Sequence, residues 1–322
     1  MKTSTTTLML ALCLSTLSTA TMADEVGSVT SPDGQNTLAI DRSDSGQLTY
    51  TVTRGTHTLV AASPLGLVAR EADLSAGLAL SAHSTRPINE QYALPTGKCA
   101  VYHNTCNELT LIFTKGSHTL ALQCRAYDDG VAFRYVVNGD EPLTVTADKA
   151  EVNLPSFERC WAQRYVTDYS QPYPARSWSD LQGVSDNTRK LCVPALVKST
   201  EGDDCWVLLT ESQGDAQFCA SALVAGDTTH PGCFSFALQD TPTVGQAFTT
   251  PWRTLYMGTL ATIVESNLND DLNPATSLTD TSWIQAGLSS WDWGGEDGQE
   301  RHDLNIVKDY IDMAHNMHWP YY

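Results

Sequence analysis

Apolar and polar positions alternate with a period of two over most of this chain. Leu48, Tyr50 and Val52 interleave with Thr49, Thr51 and Thr53. Leu109, Leu111 and Phe113 repeat the pattern, followed by Leu120, Leu122, Cys124 and Ala126, and then by Val131, Phe133, Tyr135 and Val137. A period of two puts every second side chain on one face, as in a half-buried strand. Lys115-Gly116 and Asp129-Gly130 separate the last three runs. An Asp-Gly pair between alternating runs predicts a tight hairpin with positive φ at its turn positions. Further strands are predicted at Leu38 and Ile40, Leu59-Val60-Ala61, Ala195-Leu196-Val197, Trp206-Val207-Leu208-Leu209, Trp252-Arg253-Thr254-Leu255-Tyr256 and Ala261-Thr262-Ile263-Val264. So many short strands in series predict a mainly β fold, a large antiparallel β-sandwich.

Two stretches break the pattern. From Cys160 to Leu181 the chain carries Trp161, Tyr165, Tyr169, Tyr173 and Trp178 with Pro172 and Pro174, and shows no clean period. This predicts an ordered aromatic loop, which either stacks on a sugar or anchors itself by packing down. After a polar linker, Asn267 to Asp280, comes Leu288-Ser289-Ser290-Trp291-Asp292-Trp293, ended by Gly294-Gly295. Then Leu304, Val307, Tyr310, Ile311, Ala314 and Met317 fall on one face of a 3.6-residue period. Asp303 is placed to favour the start of that helix. Trp319-Pro320-Tyr321-Tyr322 resumes extended chain. Strand, helix and second strand read as the opening of a parallel sheet or barrel. A single βα unit cannot bury its own faces, so the sequence reads as stopping inside a second domain.

The N-terminus reads as an export signal over residues 1–23. Lys2 is followed by an apolar run from Leu8 to Leu14, too short to span a bilayer. Thr21-Met22-Ala23 and Ser18-Thr19-Ala20 both offer cleavage sites. Periplasmic or extracellular localisation is therefore expected, and no later segment is apolar enough for membrane insertion. Charged residues are 17% and apolar residues 42% of the 322, enough for a core. The net charge of −18 would repel a phosphate backbone and argues against nucleic acid. Eight of the nine cysteines follow the signal, widely spaced and without a CxxC pair, so a zinc site is not expected. Few disulfides are expected, with Cys99–Cys106 as the candidate pair, and Cys124 reads as a buried thiol.

Several motifs occur in order along the chain: Ser31-Pro32-Asp33-Gly34, Ser63-Pro64-Leu65-Gly66-Leu67, the run from Arg125 to Tyr135, and Leu208-Leu209-Thr210-Glu211. They continue through Thr250-Pro251-Trp252-Arg253, Leu260 to Asn269, Leu272-Asn273-Pro274, Asp280 to Ile284, Ser290-Trp291-Asp292-Trp293 and Tyr310 to Ala314. This ordered set resembles glycoside hydrolase family 97. The resemblance implies an N-terminal β-super-sandwich over residues 24–275. It also implies that residues 276–322 are a linker and the first βα unit of a truncated (β/α)8 catalytic barrel. The implied activity is hydrolysis of α-glucosidic or α-galactosidic bonds in an oligosaccharide or other α-glycoside, with calcium.

Hydrolysis of a glycoside takes two carboxylates flanking the bond. In the resembled family they sit on later barrel strands, so no catalytic residue is assigned here. Glu211 matches the family's calcium ligand, and calcium collects about 6–8 oxygens. Trp291, Asp292 and Trp293 end the predicted first barrel strand, where barrel sites lie, and are the candidate substrate-binding residues. Trp252 and Arg253 read as interdomain structure, and Glu265 is one acid that could pair with Arg253. His315 and His318 lack the HExxH spacing of a zinc protease. The competing function is a carbohydrate-binding β-sandwich without catalysis. A mutarotase-like reading comes last, because no convergent His and Glu pair stands out.

Overall fold

The computed structural model describes residues 23–166, 171–183, 186–215, 217–226, 231–291 and 303–322. It divides into two compact units, Met1–Pro87 with Cys106–Ser266, and Ile88–Thr105 with Asn267–Tyr322.

The first unit is built from antiparallel strands. An eight-stranded sheet begins in chain order with Ala23–Thr30, Asn36–Ser43, Leu48–Arg54 and His57–Leu65. It continues through Glu151–Asn153, Cys233–Leu238, Ser221–Ala225 and Lys190–Leu191. A ten-stranded sheet has Trp206–Ser212, Trp252–Gly258, Gly130–Asn138, His118–Tyr127 and Tyr102–Lys115 as successive neighbours in its middle. A smaller four-stranded sheet holds Leu143–Asp148 beside Leu67–Ala69. The alternation read from sequence becomes alternation in burial. Leu38 and Ile40, Leu48, Tyr50 and Val52, and Leu120, Leu122, Cys124 and Ala126 all join one core with Phe133 and Tyr135. The ring centroids of Tyr50 and Phe133 lie 5.0 Å apart within it.

The turns differ in one instructive way. Gly116 adopts φ +59°, as its hairpin needs. The next hairpin pairs Tyr127 with Gly130, so its loop is Asp128-Asp129 and Gly130 already belongs to a strand. Neither Asp takes a positive φ. The loop is instead tied from outside: Asp33 N–H donates to Asp128 Oδ1 at 2.9 Å, and Asn36 Nδ2 donates to the Tyr127 carbonyl at 2.8 Å. Tertiary hydrogen bonds do the work that a left-handed glycine does elsewhere.

The run from Ala261 to Val264 is a helix, Leu260–Glu265, and not a strand. Thr259 caps it, its hydroxyl accepting from Thr262 N–H at 3.2 Å. Only Ile263 is buried, while Ala261 and Glu265, which a two-residue period would bury with it, are both exposed. The cap outweighs the β-branched composition. The described part of the aromatic stretch is more regular than a loop, with strands Phe157–Trp161 and Ala175–Arg176 and a capped turn of helix, Trp178–Leu181, while Tyr169 lies outside the described residues.

In the second unit Tyr92 and Tyr102 stack at 4.9 Å. The Tyr92 hydroxyl donates to Asp271 Oδ1 at 2.7 Å, and Asn104 Nδ2 donates to the Asp271 carbonyl at 3.1 Å. The predicted helix is present as Leu304–Asn316, and Asp303 Oδ1 caps it by accepting from Asn305 N–H at 2.8 Å. Ser289 and Tyr321 form a parallel bridge, one on each side of this helix in sequence. Residues 284–291 contain that bridge and no regular strand. No described helix is long and apolar enough to cross a membrane. All eight described cysteines are free thiols, six of them buried, so the Cys99–Cys106 pair is not formed.

Candidate functional site

Glu211 lies on Trp206–Ser212, directly opposite Arg253 of the neighbouring strand. Both side chains belong to the core-facing side of the sheet, because Arg253 is also opposite Phe133. A guanidinium there must be neutralised within the protein. Its Nη1 donates to Glu211 Oε2, and its Nη2 donates to Asp148 Oδ2 at 2.8 Å. Burial works against the charge on Arg253, but the Asp148 and Glu211 carboxylates overcome it and hold the pKa above the ordinary value. Each acid has a second donor. Ser221 N–H reaches Glu211 Oε1 at 3.0 Å, and Ala150 N–H reaches Asp148 Oδ1 at 2.9 Å. Phe236 lies under the guanidinium at 4.6 Å. A cavity of about 410 Å³ opens beside Asp148, lined by Thr146, Phe236, Gln239 and Asp240 among others.

This geometry bears on calcium directly. Both oxygens of Glu211 are engaged, one by a cation that would repel a second cation. Among the described residues no group of three His, Cys, Asp or Glu side chains could hold a metal ion. The two carboxylates here, Glu211 and Asp148, are both committed to Arg253, and the described residues do not fit a calcium site by themselves. Glu265 is not a partner of Arg253; Asp148, 105 residues earlier in the chain, takes that place. Sequence order gave no sign of Asp148, which ends a strand of the four-stranded sheet.

Trp252 and Arg253 are both interior residues of the first unit, at 0% and 1% exposure. Trp291 belongs to the second unit and is 67% exposed. Asp292 and Trp293 lie outside the described residues.

A second feature comes from the aromatic stretch. Trp161 and Trp206 stand with ring centroids 5.2 Å apart. With Tyr173, Leu196, Leu208 and Leu260 they line an apolar groove of about 430 Å³. The Trp206 indole is oriented by Asp204, whose Oδ1 accepts from Nε1 at 3.1 Å, and Lys198 sits 4.8 Å from its ring centre.

The family profile described as glycosyl-hydrolase 97 N-terminal matches residues 29–274. The chain belongs to the glycosyl-hydrolase 97 family. Among curated relatives of this family member, a probable retaining α-galactosidase of Streptomyces bingchenggensis is 33% identical over 97% of the chain and 48% of its own length. A retaining α-galactosidase of Bacteroides thetaiotaomicron is 24% identical over 88% of the chain and 47% of its own length. The family 97 chain thus spans about half the length of the curated relatives it matches. Solved structures agree in fold. A β-arabinopyranosidase superposes with TM-score 0.75 at 24% identity, covering 91% of this chain and 50% of that one. A family 97 enzyme of Pseudoalteromonas sp. strain K8, in complex with panose, gives 0.70 at 23%, covering 89% and 45%. These agree with the β-sandwich fold.

Proposed function

We propose that this chain is the supporting sandwich of an exported glycoside hydrolase that cleaves α-galactosidic bonds first and α-glucosidic bonds second. The observation that carries the reading is the family match over residues 29–274, joined to a 33% identical relative described as a retaining α-galactosidase. A retaining enzyme needs a carboxylate nucleophile and a carboxyl acid–base about 5–5.5 Å apart. No residue of this chain is assigned to either role. Residues 276–322 are read as the opening of the catalytic barrel, supported by the parallel bridge of Ser289 to Tyr321 around a helix. Residues 1–23 are read as an export signal, with a periplasmic or extracellular product. Trp291, Asp292 and Trp293 remain the proposed substrate contacts, supported by the exposed Trp291 indole.

Calcium belongs to this reading with one contribution from the chain. Glu211 would supply a single oxygen ligand after releasing Arg253, with the other ligands coming from outside the described residues. The experiment is a comparison of this chain with the product of the whole reading frame on p-nitrophenyl α-galactoside and α-glucoside. We expect no turnover by the chain and turnover by the longer protein, with the galactoside preferred. A longer protein inert on both substrates would sink the proposal.

A second reading has its own support in the Trp161–Trp206 groove. Indole faces suit the C–H faces of a pyranose, so the sandwich would hold sugar without reacting with it. Calorimetric titration with an α-galactoside, compared with Trp206→Ala, tests it. Equal heats from both proteins would remove the groove from consideration.

A further inference from the structure

The face of the ten-stranded sheet turned away from the main core carries a cation with no carboxylate partner among the described residues. Arg134 alternates with the core residues Phe133 and Tyr135, so it points the other way. Its Nε donates to Gln123 Oε1 at 2.7 Å and its Nη1 to Gln213 Oε1 at 2.6 Å. Both acceptors are neutral amides. The guanidinium lies 4.3 Å from the ring centre of Trp252, and Arg125 lies 4.9 Å from the same ring. Arg125 has a carboxylate: Glu108 accepts from its Nε at 2.8 Å and from Arg86 Nε at 2.7 Å. Among the described residues Arg134 has none.

This arrangement is costly and specifically built. Burial, and then the charge of Arg125, push the Arg134 pKa down to about 10. Gln213 adopts φ +56°, a left-handed conformation that strains a residue with a side chain. In that conformation its Oε1 also accepts from Trp252 Nε1 at 3.1 Å. The strained residue thus holds the indole and the guanidinium in one fixed relation. Nε and one Nη1 hydrogen are committed, and the Nη1–Nη2 edge is left. Arg86 and Arg125 share the Glu108 carboxylate, which leaves Arg134 facing only neutral acceptors among the described residues.

We propose that Arg134 is a carboxylate-binding site, receiving one carboxylate end-on along its Nη1–Nη2 edge. A planar two-oxygen anion matches that edge, and a weakly hydrated guanidinium over an indole keeps little water to displace. The ligand is a uronic-acid sugar or the side-chain carboxylate of a polypeptide lying on this face. Trp252 is fully buried beneath both guanidiniums and has no free face for a sugar ring, so the recognition element is the carboxylate alone.

The test is a titration of the whole chain with sodium galacturonate and with sodium acetate, at ionic strength held constant with sodium chloride. Thermal shift and calorimetry give the affinities. Saturable binding of at least one probe is expected. Arg134→Lys keeps the cation over Trp252 but loses the two-nitrogen edge, and should weaken binding about tenfold. Galacturonate much tighter than acetate assigns a sugar acid; similar affinities assign a polypeptide carboxylate. No saturable binding of either probe, or equal affinities in the wild-type and Lys proteins, overturns the proposal. The Lys variant's unfolding temperature in chloride alone reports whether it is folded, and Gln213→Gly supplies a second variant if it is not. Gly tolerates the left-handed backbone and removes the shared acceptor, so it too should lose affinity.

Discussion

Glu211 and Arg253 face each other across neighbouring antiparallel strands, the guanidinium fully buried and the carboxylate mostly so. Removing Arg253 leaves Glu211 and Asp148 without their shared cation. Arg253→Met should cost about 3–5 kcal/mol, the usual range for breaking a buried ion pair from one side. Glu211→Gln keeps an acceptor and Asp148 keeps its bond, so a smaller loss of about 1.5–3 kcal/mol is expected. Urea midpoints at fixed m-value decide both. Equal losses for the two variants would mean that Asp148 does not share the neutralisation.

Tyr135 fixes a backbone group as well as filling space. Its hydroxyl accepts from the Gly66 N–H at 2.8 Å, and both residues are buried. Tyr135→Phe keeps the ring and orphans that N–H, so a loss of about 1–3 kcal/mol is expected. The same measurement on Phe133→Ala should show about 3–5 kcal/mol, because a cavity replaces the ring.

Glu108 gives the first unit an acid limb. Burial raises its pKa, but hydrogen bonds from Arg86 and Arg125 more than offset this and leave it below the ordinary 4.5. A depressed folded pKa means that the unfolded state binds more protons as the pH falls. The contribution is complete above the unfolded value and is lost as pH drops through the folded one. Glu108→Gln should therefore be less stable than wild type at neutral pH, with the gap narrowing below about pH 4.5. Melting temperatures across pH 3–7 check this, and a constant gap would contradict it.

The Leu304–Asn316 helix buries only Ala314, with Leu304, Ile311, Met313 and Met317 at 40% exposure or more. Amide hydrogen exchange should be faster in this helix than in the strands from Tyr102 to Asn138 by several orders of magnitude. Protection equal to that of the strands would show that its apolar face is covered in solution.

The sandwich was legible because its signal is local. Alternation at Leu48–Val52 or Leu120–Ala126 decides burial residue by residue, whatever the partner strand. The helix at Ala261–Val264 is hidden by its β-branched residues, whose strand preference the Thr259 cap two positions earlier overrides. The Asp128-Asp129 turn has no local signature, because its stabilising donors, Asp33 and Asn36, lie far away in sequence. Arg253 and Glu211 were legible separately. Their union with Asp148 was not, since no local pattern links residues 105 apart. The strained Gln213 left no mark in the sequence.

The second unit is assembled from two distant stretches, joined where Tyr92 donates to Asp271 across 179 residues. A ribosome moving at about 5–20 residues per second makes those partners about 10–40 s apart. Tyr92 and Asn104 therefore leave the ribosome long before their partner exists. Through that interval the segment from Ile88 to Thr105 depends on other contacts, or on a chaperone, to stay out of aggregates. Closure of this unit is timed by synthesis and must wait until residue 271 has been delivered.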